Sequence, residues 1–295
     1  MSRARVVTAL CGGLGNQLFI YAAARRLAIV QDRELILDRV SRFRRDRRYR
    51  RQCVLDHFNV QTDGVSPHRY FSPGLWDLYW WGQRKRDRLL RWTGRDNPDF
   101  LREARRDPAF DPRLLAAPSP RQTPTLALEG FWQSERYFAD MASTIRAELT
   151  VVTPHAPHNQ ATAQAMAAVT AVAIHVRRLD YAQALDGDYY RRAVAWLRQR
   201  VANPVFFCFG DDLPWLAAAL GDAAAPVLVD QNPGDHAAHE DLWLMSRCRH
   251  FIIANSTFSW WGAWLGEHPD KQVVAPRDPG RGFNRDFFPE SWVRV

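Results

Sequence analysis

Residues 6–37 read VVTALCGGLGNQLFIYAAARRLAIVQDRELIL, and the order of patterns in this stretch decides the fold class. The short apolar run Val6–Leu10 predicts a strand, and a glycine turn at 11–15 follows it. Apolar residues then recur at helical spacing from Asn16 to Gln31, and Leu35–Asp38 predicts a second strand. This opening is a βαβ unit, which indicates a parallel sheet covered by helices, with ligands bound at the carboxyl ends of its strands.

The second half of the chain shows the same alternation over five predicted strands. The strands are predicted at 172–176, 205–209, 227–229, 251–254 and 273–274, with helices at 189–201, after 213, at 240–247 and at 259–266. Another strand, Leu126–Glu129, precedes this half. Prolines and histidines near residue 153 are typical of a linker. We therefore predict two Rossmann-like domains, 1–152 and 153–295.

Composition limits the partners that this chain can have. Only two of the 40 basic residues are lysines. Because the formal charge is +8, the chain attracts anions such as phosphosugars, nucleic acid or an acidic membrane. Four dispersed cysteines without a C-x-x-C pair predict neither a zinc site nor a disulfide framework. The first apolar run is too short for a signal peptide, and no run reaches transmembrane length. We expect a cytoplasmic protein, with peripheral contact at an anionic inner membrane as a hypothesis.

An arginine- and tryptophan-rich segment, 41–119, interrupts the alternation. Seven arginines lie between Arg42 and Arg51, and they are followed by Trp76, Trp80, Trp81 and Trp92. Basic residues with interleaved aromatics suit nucleic acid, sugars or lipid headgroups. The simpler interpretation is a solvated charged loop beside a helical, aromatic-rich subdomain. The alternative is acceptor recognition, because tryptophan faces suit sugar rings.

The glycine turn at Gly12–Gln17 is the first motif that suggests chemistry. Backbone N–H groups of such a turn approach a phosphate, which also lies at the positive end of the following helix. Asp38 stands where a ribose-binding acid is expected in dinucleotide-binding folds. The dinucleotide pattern is incomplete, because Leu18 occupies the place of the third glycine. A phosphate site, a plain tight turn and an NAD(P)-dependent oxidoreductase all remain open from this motif.

A stronger motif, His175–Val176–Arg177–Arg178, ends an apolar strand. On an extended strand His175 and Arg177 point to one face and Arg178 to the other. Because a guanidinium holds two phosphate oxygens and keeps its charge, Arg177 is the candidate for binding a diphosphate. Arg178 is predicted to brace the loop. The alternative interpretation pairs both arginines with acids such as Asp180 in a structural network.

Two further segments end predicted strands. Phe209–Asp212 places two acids after one strand, and Ile253–Leu265 places Asn-Ser-Thr at the start of a helix. Hydroxyls and N–H groups at a helix start bind anions. Trp260, Trp261 and Trp264 in that helix are predicted to pack in the core.

The ordered segments GGLGNQLF, GFWQSERYF, HVRRLDY, FGDD and NSTFSWWGAW, spanning residues 12–265, resemble those of the α-1,2-fucosyltransferases of glycosyltransferase family 11. The resemblance implies a GT-B-like α/β fold of two Rossmann-like halves with the active site in the cleft between them. It also implies inverting transfer of L-fucose from GDP-β-L-fucose to the 2-hydroxyl of a terminal galactose. Neither a metal nor another cofactor is expected, and the N-terminal domain is expected on the acceptor side.

The resemblance also assigns roles to individual residues. It places His175 near the nucleotide, Arg177 on the leaving β-phosphate and Asp241 on the guanine N–H groups. It places Gly15 and Asn16 of the first domain, and four residues of the second, along the diphosphate: Asn255, Ser256, Thr257 and Phe258. Gly210 departs from the family pattern, which often has serine there, so a hydroxyl contact at that position is in doubt.

The general base is the least defined part of the predicted site. Asp180 is a candidate by position, either as the base or as a partner that orients the arginines. Asp186–Gly187–Asp188 is a D-x-D sequence, the usual signature of a metal-bound sugar nucleotide, but it directly precedes a helix. We predict that Asp188 caps that helix and that no metal is needed.

The expected partners are therefore GDP-fucose and a galactoside acceptor, without nucleic acid. The alternatives that remain are an α-1,6- or other fucosyltransferase on the same fold, the oxidoreductase, and a basic module that binds nucleic acid or lipid. The acceptor glycan and the oligomeric state are not predicted.

Overall fold

The computed structural model describes residues 3–61, 73–104, 108–179, 181–221 and 224–295. The chain forms two compact units: the first is Met1–Thr150 with Gly282–Phe287, and the second is Val151–Arg281 with Phe288–Val295. The predicted boundary between residues 152 and 153 lies close to this division. No local pattern predicts the return of a C-terminal segment to the first unit.

The first unit contains a parallel four-stranded sheet with the order β2-β1-β4-β3. Its strands are β1 (Arg5–Ala9), β2 (Glu34–Asp38), β3 (Phe100–Arg102) and β4 (Thr125–Glu129), and its helices are α1 (Leu14–Val30), α2 (Pro73–Trp92) and α3 (Ala142–Glu148). Helix α1 is buried on most of its surface, as expected for a helix that is apolar on nearly all sides. Trp76 and Trp80 of α2 pack on the sheet with Val7, Ile36 and Phe100.

The second unit contains a parallel six-stranded sheet with the order β10-β9-β8-β5-β6-β7. Its strands are β5 (Thr170–Val176), β6 (Pro204–Gly210), β7 (Val227–Leu228), β8 (His250–Ile252), β9 (Val273–Ala275) and β10 (Val293–Arg294). Its helices are α4 (Pro157–Ala167), α5 (Gly187–Arg198), α6 (Leu213–Leu220), α7 (Ala238–Ser246) and α8 (Thr257–Leu265). Alternate residues of β5 pack against α5 and α6 through Tyr190 and Leu216.

Most predicted elements are confirmed. The opening βαβ unit is present as β1, α1 and β2, and the five strands predicted for the second half are present as β5 to β9. The C-terminal strand β10 was not predicted, because a two-residue strand has no readable periodicity. Within segment 41–119, the aromatic-rich part forms helix α2, and residues 62–72 and 105–107 lie outside the described residues. Over the described ranges, no helix has both the length and the apolar character that crossing a bilayer requires.

Candidate active site

Strand β5 lies at the centre of the candidate site in the second unit. It pairs with β6 on one side and with β8 on the other, so the carboxyl ends of three parallel strands meet at one edge. The chain moves outward from β5 to β7 and then returns to the opposite side of β5 at β8. Open α/β sheets bind their ligands where the strand order reverses in this way. The predicted motifs at 175–178, 209–212 and 253–259 all follow strands at this edge.

His175 is buried near the end of β5. Its ring lies 5.3 Å from the ring of Phe258, and its Nδ1 atom has no hydrogen-bond partner within the described part of the chain. Burial and the positive charge of Arg177 lower the pKa of His175 to about 3. The imidazole is therefore neutral near pH 7. It can form hydrogen bonds with a nucleotide but adds no positive charge to the site.

Arg177 and Arg178 each pair with one acid of the Asp211–Asp212 turn. Arg177 Nε lies 3.4 Å from Asp211 Oδ2, and Arg178 Nε lies 3.1 Å from Asp212 Oδ2. The guanidinium carbon of Arg178 also lies 3.6 Å from the centre of the Trp215 ring. Arg178 therefore braces the loop as predicted, and both arginines pair with acids, as the structural-network alternative also predicted. Asp180, the other predicted partner and candidate base, lies outside the described residues.

Asp211 joins the ends of β5 and β6. Its carboxylate accepts hydrogen bonds from the backbone N–H groups of Arg178, at 2.8 Å, and Leu179, at 3.3 Å, in addition to the Arg177 contact. The turn requires glycine at 210, where φ is +130° and a Cβ atom would lie 2.0 Å from the Val176 carbonyl oxygen. A serine does not fit this backbone. The turn around Gly210 places the Asp211 carboxylate at the exit of β5.

At the start of α8, residues that were predicted to bind the diphosphate form hydrogen bonds within the protein. The Ser256 hydroxyl accepts a hydrogen bond from Phe258 N at 3.2 Å and caps the helix that begins at Thr257. Asn255 donates through Nδ2 to the Gln183 carbonyl oxygen at 3.0 Å. Its Oδ1 atom is buried and has no partner among the described residues. Since that atom only accepts hydrogen bonds, it suits a hydroxyl or N–H group of a ligand better than a phosphate oxygen.

Asp241, the predicted guanine ligand, lies in α7 in an environment that disfavours its charge. Burial and the neighbouring Glu240 charge raise its pKa to about 7, although Asn232 donates a hydrogen bond to Oδ1 at 2.8 Å. Glu240 is itself engaged, because its Oε2 lies 2.8 Å from His155 Nδ1. The His155 ring stacks on Trp243 at 3.6 Å. Near pH 7, Asp241 is therefore poised between its neutral and ionised forms.

In the first unit, the glycine turn holds Asn16 rather than leaving it unconstrained. Gly12 has a φ of +77°, and a Cβ atom there would lie 2.6 Å from Asn16 Nδ2. Asn16 Oδ1 accepts a hydrogen bond from Gln133 Nε2 at 2.9 Å, and Gln133 belongs to the predicted GFWQSERYF segment. Gly15 is buried in the first turn of α1. Their contact with a diphosphate stays a prediction.

Asp38 does not serve as a ribose-binding acid. Its carboxylate is fully buried and accepts hydrogen bonds from Ser41 N at 2.9 Å and Trp80 Nε1 at 2.7 Å, and it also bonds the Ser41 hydroxyl. These groups saturate it and tie α2 to the end of β2. The position expected from the dinucleotide pattern is therefore occupied by a structural acid.

The D-x-D sequence is also structural, but the predicted capping residue was wrong. Asp186, not Asp188, caps α5 by accepting a hydrogen bond from Tyr189 N at 2.9 Å. The helix begins at Gly187, earlier than predicted, so Asp188 falls in its first turn and pairs with Arg191. Within the described residues no group of three His, Cys, Asp or Glu side chains is placed to hold a metal ion.

Sequence reasoning missed three residues that support the site. Tyr181 donates its hydroxyl to the Asn255 carbonyl oxygen at 2.8 Å, and Gln183 binds both Asn255 and Arg281. Asn232 holds Asp241. Tyr181 lies within the HVRRLDY segment, so the sequence motif could have indicated its role. Gln183 and Asn232 lie in loops, where residue type alone does not indicate a partner.

Taken together, the structure places a parallel α/β sheet, a buried neutral histidine and two arginines at the carboxyl ends of the central strands. Residues 119–295 match the family model described as glycosyl transferase family 11, and the chain belongs to this family. The predicted family is thereby confirmed, and the oxidoreductase alternative is excluded.

Named relatives agree with this family. The chain is 24% identical to an Escherichia coli alpha-1,2-colitosyltransferase over 98% of both chains. It is 34% identical to the Escherichia coli O-antigen biosynthesis glycosyltransferase WbnK over 41% of this chain and 43% of that protein. It is 26% identical to the Bos taurus galactoside alpha-(1,2)-fucosyltransferase 1 over 58% of this chain and 54% of that protein.

Solved structures agree with the predicted fold class. NodZ alpha-1,6-fucosyltransferase soaked with GDP-fucose has a TM-score of 0.59 at 14% identity, covering 96% of this chain and 98% of NodZ. A variant of Arabidopsis thaliana FUT1 in complex with GDP has a TM-score of 0.56 at 14% identity, covering 99% of this chain and 76% of FUT1. These likenesses confirm the GT-B-like α/β fold class.

Proposed function

We propose that this family 11 enzyme transfers L-fucose from GDP-β-L-fucose to the 2-hydroxyl of a terminal galactose, with inversion and without a metal. One observation carries the proposal: Arg177 leaves the central strand β5 beside the neutral His175 and is oriented by Asp211. A guanidinium at the carboxyl edge of a parallel sheet is suited to the diphosphate of a sugar nucleotide.

The names of the relatives support the donor and the linkage. The colitosyltransferase and the bovine fucosyltransferase both carry an alpha-1,2 linkage in their names. Solved proteins of the same fold were studied with GDP-fucose or GDP. The galactose acceptor rests on the bovine relative and on the resemblance of the motifs.

In the proposed reaction, the acceptor oxygen forms a bond to fucose C1 while the bond from C1 to the β-phosphate oxygen breaks. The electron pair of that bond stays on GDP, so negative charge develops on the β-phosphate. Arg177 stabilises this charge. Electrostatic stabilisation of the transition state is usually the largest single contribution of an active site to catalysis. The acceptor proton passes to a base, for which Asp180 stays the candidate.

A second candidate donor is a colitosyl nucleotide, because the relative that spans 98% of both chains is named a colitosyltransferase. A donor panel that contains both sugars separates the two proposals. Faster transfer of colitose than of fucose would replace the first proposal while leaving the role of Arg177 intact.

The test measures GDP release from GDP-fucose with a panel of galactosides, with and without EDTA. Arg177→Ala is expected to lower kcat by about 100- to 1,000-fold, because transition-state charge loses its partner. Arg192→Ala, which removes the same charge from the exposed face of α5, is the matched control and should retain wild-type turnover. Wild-type turnover in Arg177→Ala would refute the central assignment, and a requirement for added Mn²⁺ or Mg²⁺ would refute the metal-free mechanism.

The stereochemical part of the proposal has its own measurement. The anomeric configuration of the new bond, read by NMR, should be α when the donor is the β-linked nucleotide. A β-linked product would show retention and would contradict the direct displacement.

A further inference from the structure

Helix α2 has an apolar face on each side, and only one of them is used in the core. Trp76 and Trp80 are buried against the sheet of the first unit. On the opposite side, four large apolar side chains are exposed: Leu78 at 60%, Trp81 at 57%, Leu89 at 61% and Trp92 at 84%. Single exposed apolar residues are ordinary, but four on one helix face are a patch that calls for a partner.

The four residues form one continuous line. At 100° per residue, positions 78, 81, 89 and 92 fall within a sector of about 80°, centred opposite Trp76. The line runs about 21 Å along the helix, at 1.5 Å per residue. We call Leu78, Trp81, Leu89 and Trp92 the α2 stripe.

Positive charge surrounds the α2 stripe. Lys85 lies within the line, with its Nζ atom 5.5 Å from the centre of the Trp81 ring, and the exposed Arg88 borders it, whereas Arg86 pairs with Asp99. Both acids of α2 are engaged by arginines: Asp77 pairs with Arg45, and Asp87 pairs with Arg91. Since Arg84 and Arg86 pair with Glu129 and Asp99, Lys85 and Arg88 are the cations that α2 adds beside the apolar line.

The arginine run of segment 41–119 adds to this charge. Arg45 connects the run to α2 through Asp77, at 3.0 Å. Four more arginines of the run are exposed: Arg44, Arg47, Arg48 and Arg50. The run thus contacts α2 at Asp77, the residue before Leu78.

We propose that the α2 stripe, together with the exposed arginines 44, 47, 48 and 50, docks on the surface of an anionic lipid bilayer. A helix lying in a bilayer interface combines leucine and tryptophan on one face with lysine and arginine around it. Tryptophan is enriched at the headgroup level because its ring is apolar and its N–H group is polar. The basic residues match the negative surface potential of anionic lipids.

Charge and side-chain type favour a bilayer over the other occupants of such a face. A second copy pairing through α2 would bring two cationic helices together, which costs free energy. Nucleic acid would use the arginines and the tryptophans, but it gives the aliphatic Leu78 and Leu89 no role. An anionic bilayer uses all three kinds of side chain at once.

The test is co-sedimentation of the full chain with vesicles of phosphatidylcholine alone or with phosphatidylglycerol added. Binding is expected only with the anionic lipid, and it should weaken at least tenfold as salt rises from about 0.05 M to about 0.5 M. Leu78→Gln with Trp81→Gln, and Leu89→Gln with Trp92→Gln, should each lower the partition coefficient at least tenfold. Val30→Gln with Leu115→Gln, exposed apolar positions of the same unit off α2, is the matched control and should bind as wild type.

Fucosyl transfer to a soluble galactoside should be unchanged in the stripe variants, so the lipid result is separate from the proposed function. Because all four residues are exposed, the variants should also keep the wild-type circular dichroism. Vesicle binding that the stripe substitutions leave intact would overturn the proposal. If the wild type does not bind lipid, the stripe variants identify another partner. Loss of a dimer would indicate a second copy of the chain, weaker RNA binding would indicate nucleic acid, and a raised KM for the soluble acceptor would indicate the acceptor.

Discussion

The titration of Asp241 leads to a measurable pH dependence of donor binding. If this carboxylate receives the N–H groups of guanine, only its ionised form binds, because a protonated carboxyl group presents a donor to a donor. Its raised pKa of about 7 follows from burial and from the neighbouring Glu240 charge. Binding of the guanine nucleotide should therefore weaken as the pH falls below 7.

The magnitude follows from the ionised fraction. With a pKa of about 7, Asp241 is about nine-tenths ionised at pH 8 and about one-tenth ionised at pH 6. The affinity should thus fall about tenfold between these values, which corresponds to about 1.4 kcal/mol. His175 does not contribute to this change, because its pKa of about 3 keeps it neutral throughout the range.

Isothermal titration with GDP-fucose, without acceptor, at pH 6, 7 and 8 measures this dependence. GDP-fucose is preferable to GDP because its diphosphate, esterified at both ends, carries no proton that titrates in this range. Asp241→Asn should bind weakly at every pH and lose the dependence. A wild-type affinity that is constant from pH 6 to pH 8, or an Asp241→Asn variant that keeps the slope, would refute the assignment of guanine to this residue.

Two pairs of substitutions test the structural roles assigned to Gly210 and Asp186. Gly210→Ala should lower the free energy of unfolding by about 4 kcal/mol, because the new Cβ meets the Val176 carbonyl oxygen in addition to the backbone strain. Gly221→Ala is the control, because φ is positive there but no atom lies within 4 Å of the new Cβ. Urea unfolding should show that this variant loses only about 1 to 3 kcal/mol of unfolding free energy. Equal losses in the two variants would contradict the contact with the Val176 carbonyl oxygen. Asp186→Ala should cost about 1 kcal/mol through the lost helix cap, whereas the exposed Asp188→Ala should change stability by less than about 0.5 kcal/mol. The reverse order would restore Asp188 as the cap.

Local patterns were sufficient for the α/β class and for the placement of the motifs. Strand and helix periodicities are properties of neighbouring residues, so β1, α1 and β5 were readable without a structure. The end of each strand then indicated which motifs face a ligand, because parallel strands expose their carboxyl ends at one edge. The capping residue of α5 was misassigned, because Asp186 and Asp188 are equally suited by type and only the first helical residue distinguishes them.

The partners of the motif residues depended on contacts between distant parts of the chain. Asp38 has the residue type and the position of a ribose ligand, but Trp80 of helix α2 donates a hydrogen bond to it and makes it structural. The pKa of Asp241 is raised by burial, which a sequence does not specify. From the sequence, Gly210 indicates only that a hydroxyl contact is missing. Its positive φ and the nearby Val176 carbonyl oxygen show why a side chain is excluded there.

The sequence by itself thus determined the α/β alternation, the family and the order of the strand-end motifs, including the His175–Arg178 segment, because these depend on spacing along the chain. Only the tertiary structure decided that Asp211 holds Arg177, that Asp212 and Trp215 hold Arg178, and that α2 leaves a line of leucines and tryptophans exposed. These are outcomes of packing, in which burial and proximity in space select one partner from several residues of equal chemical type.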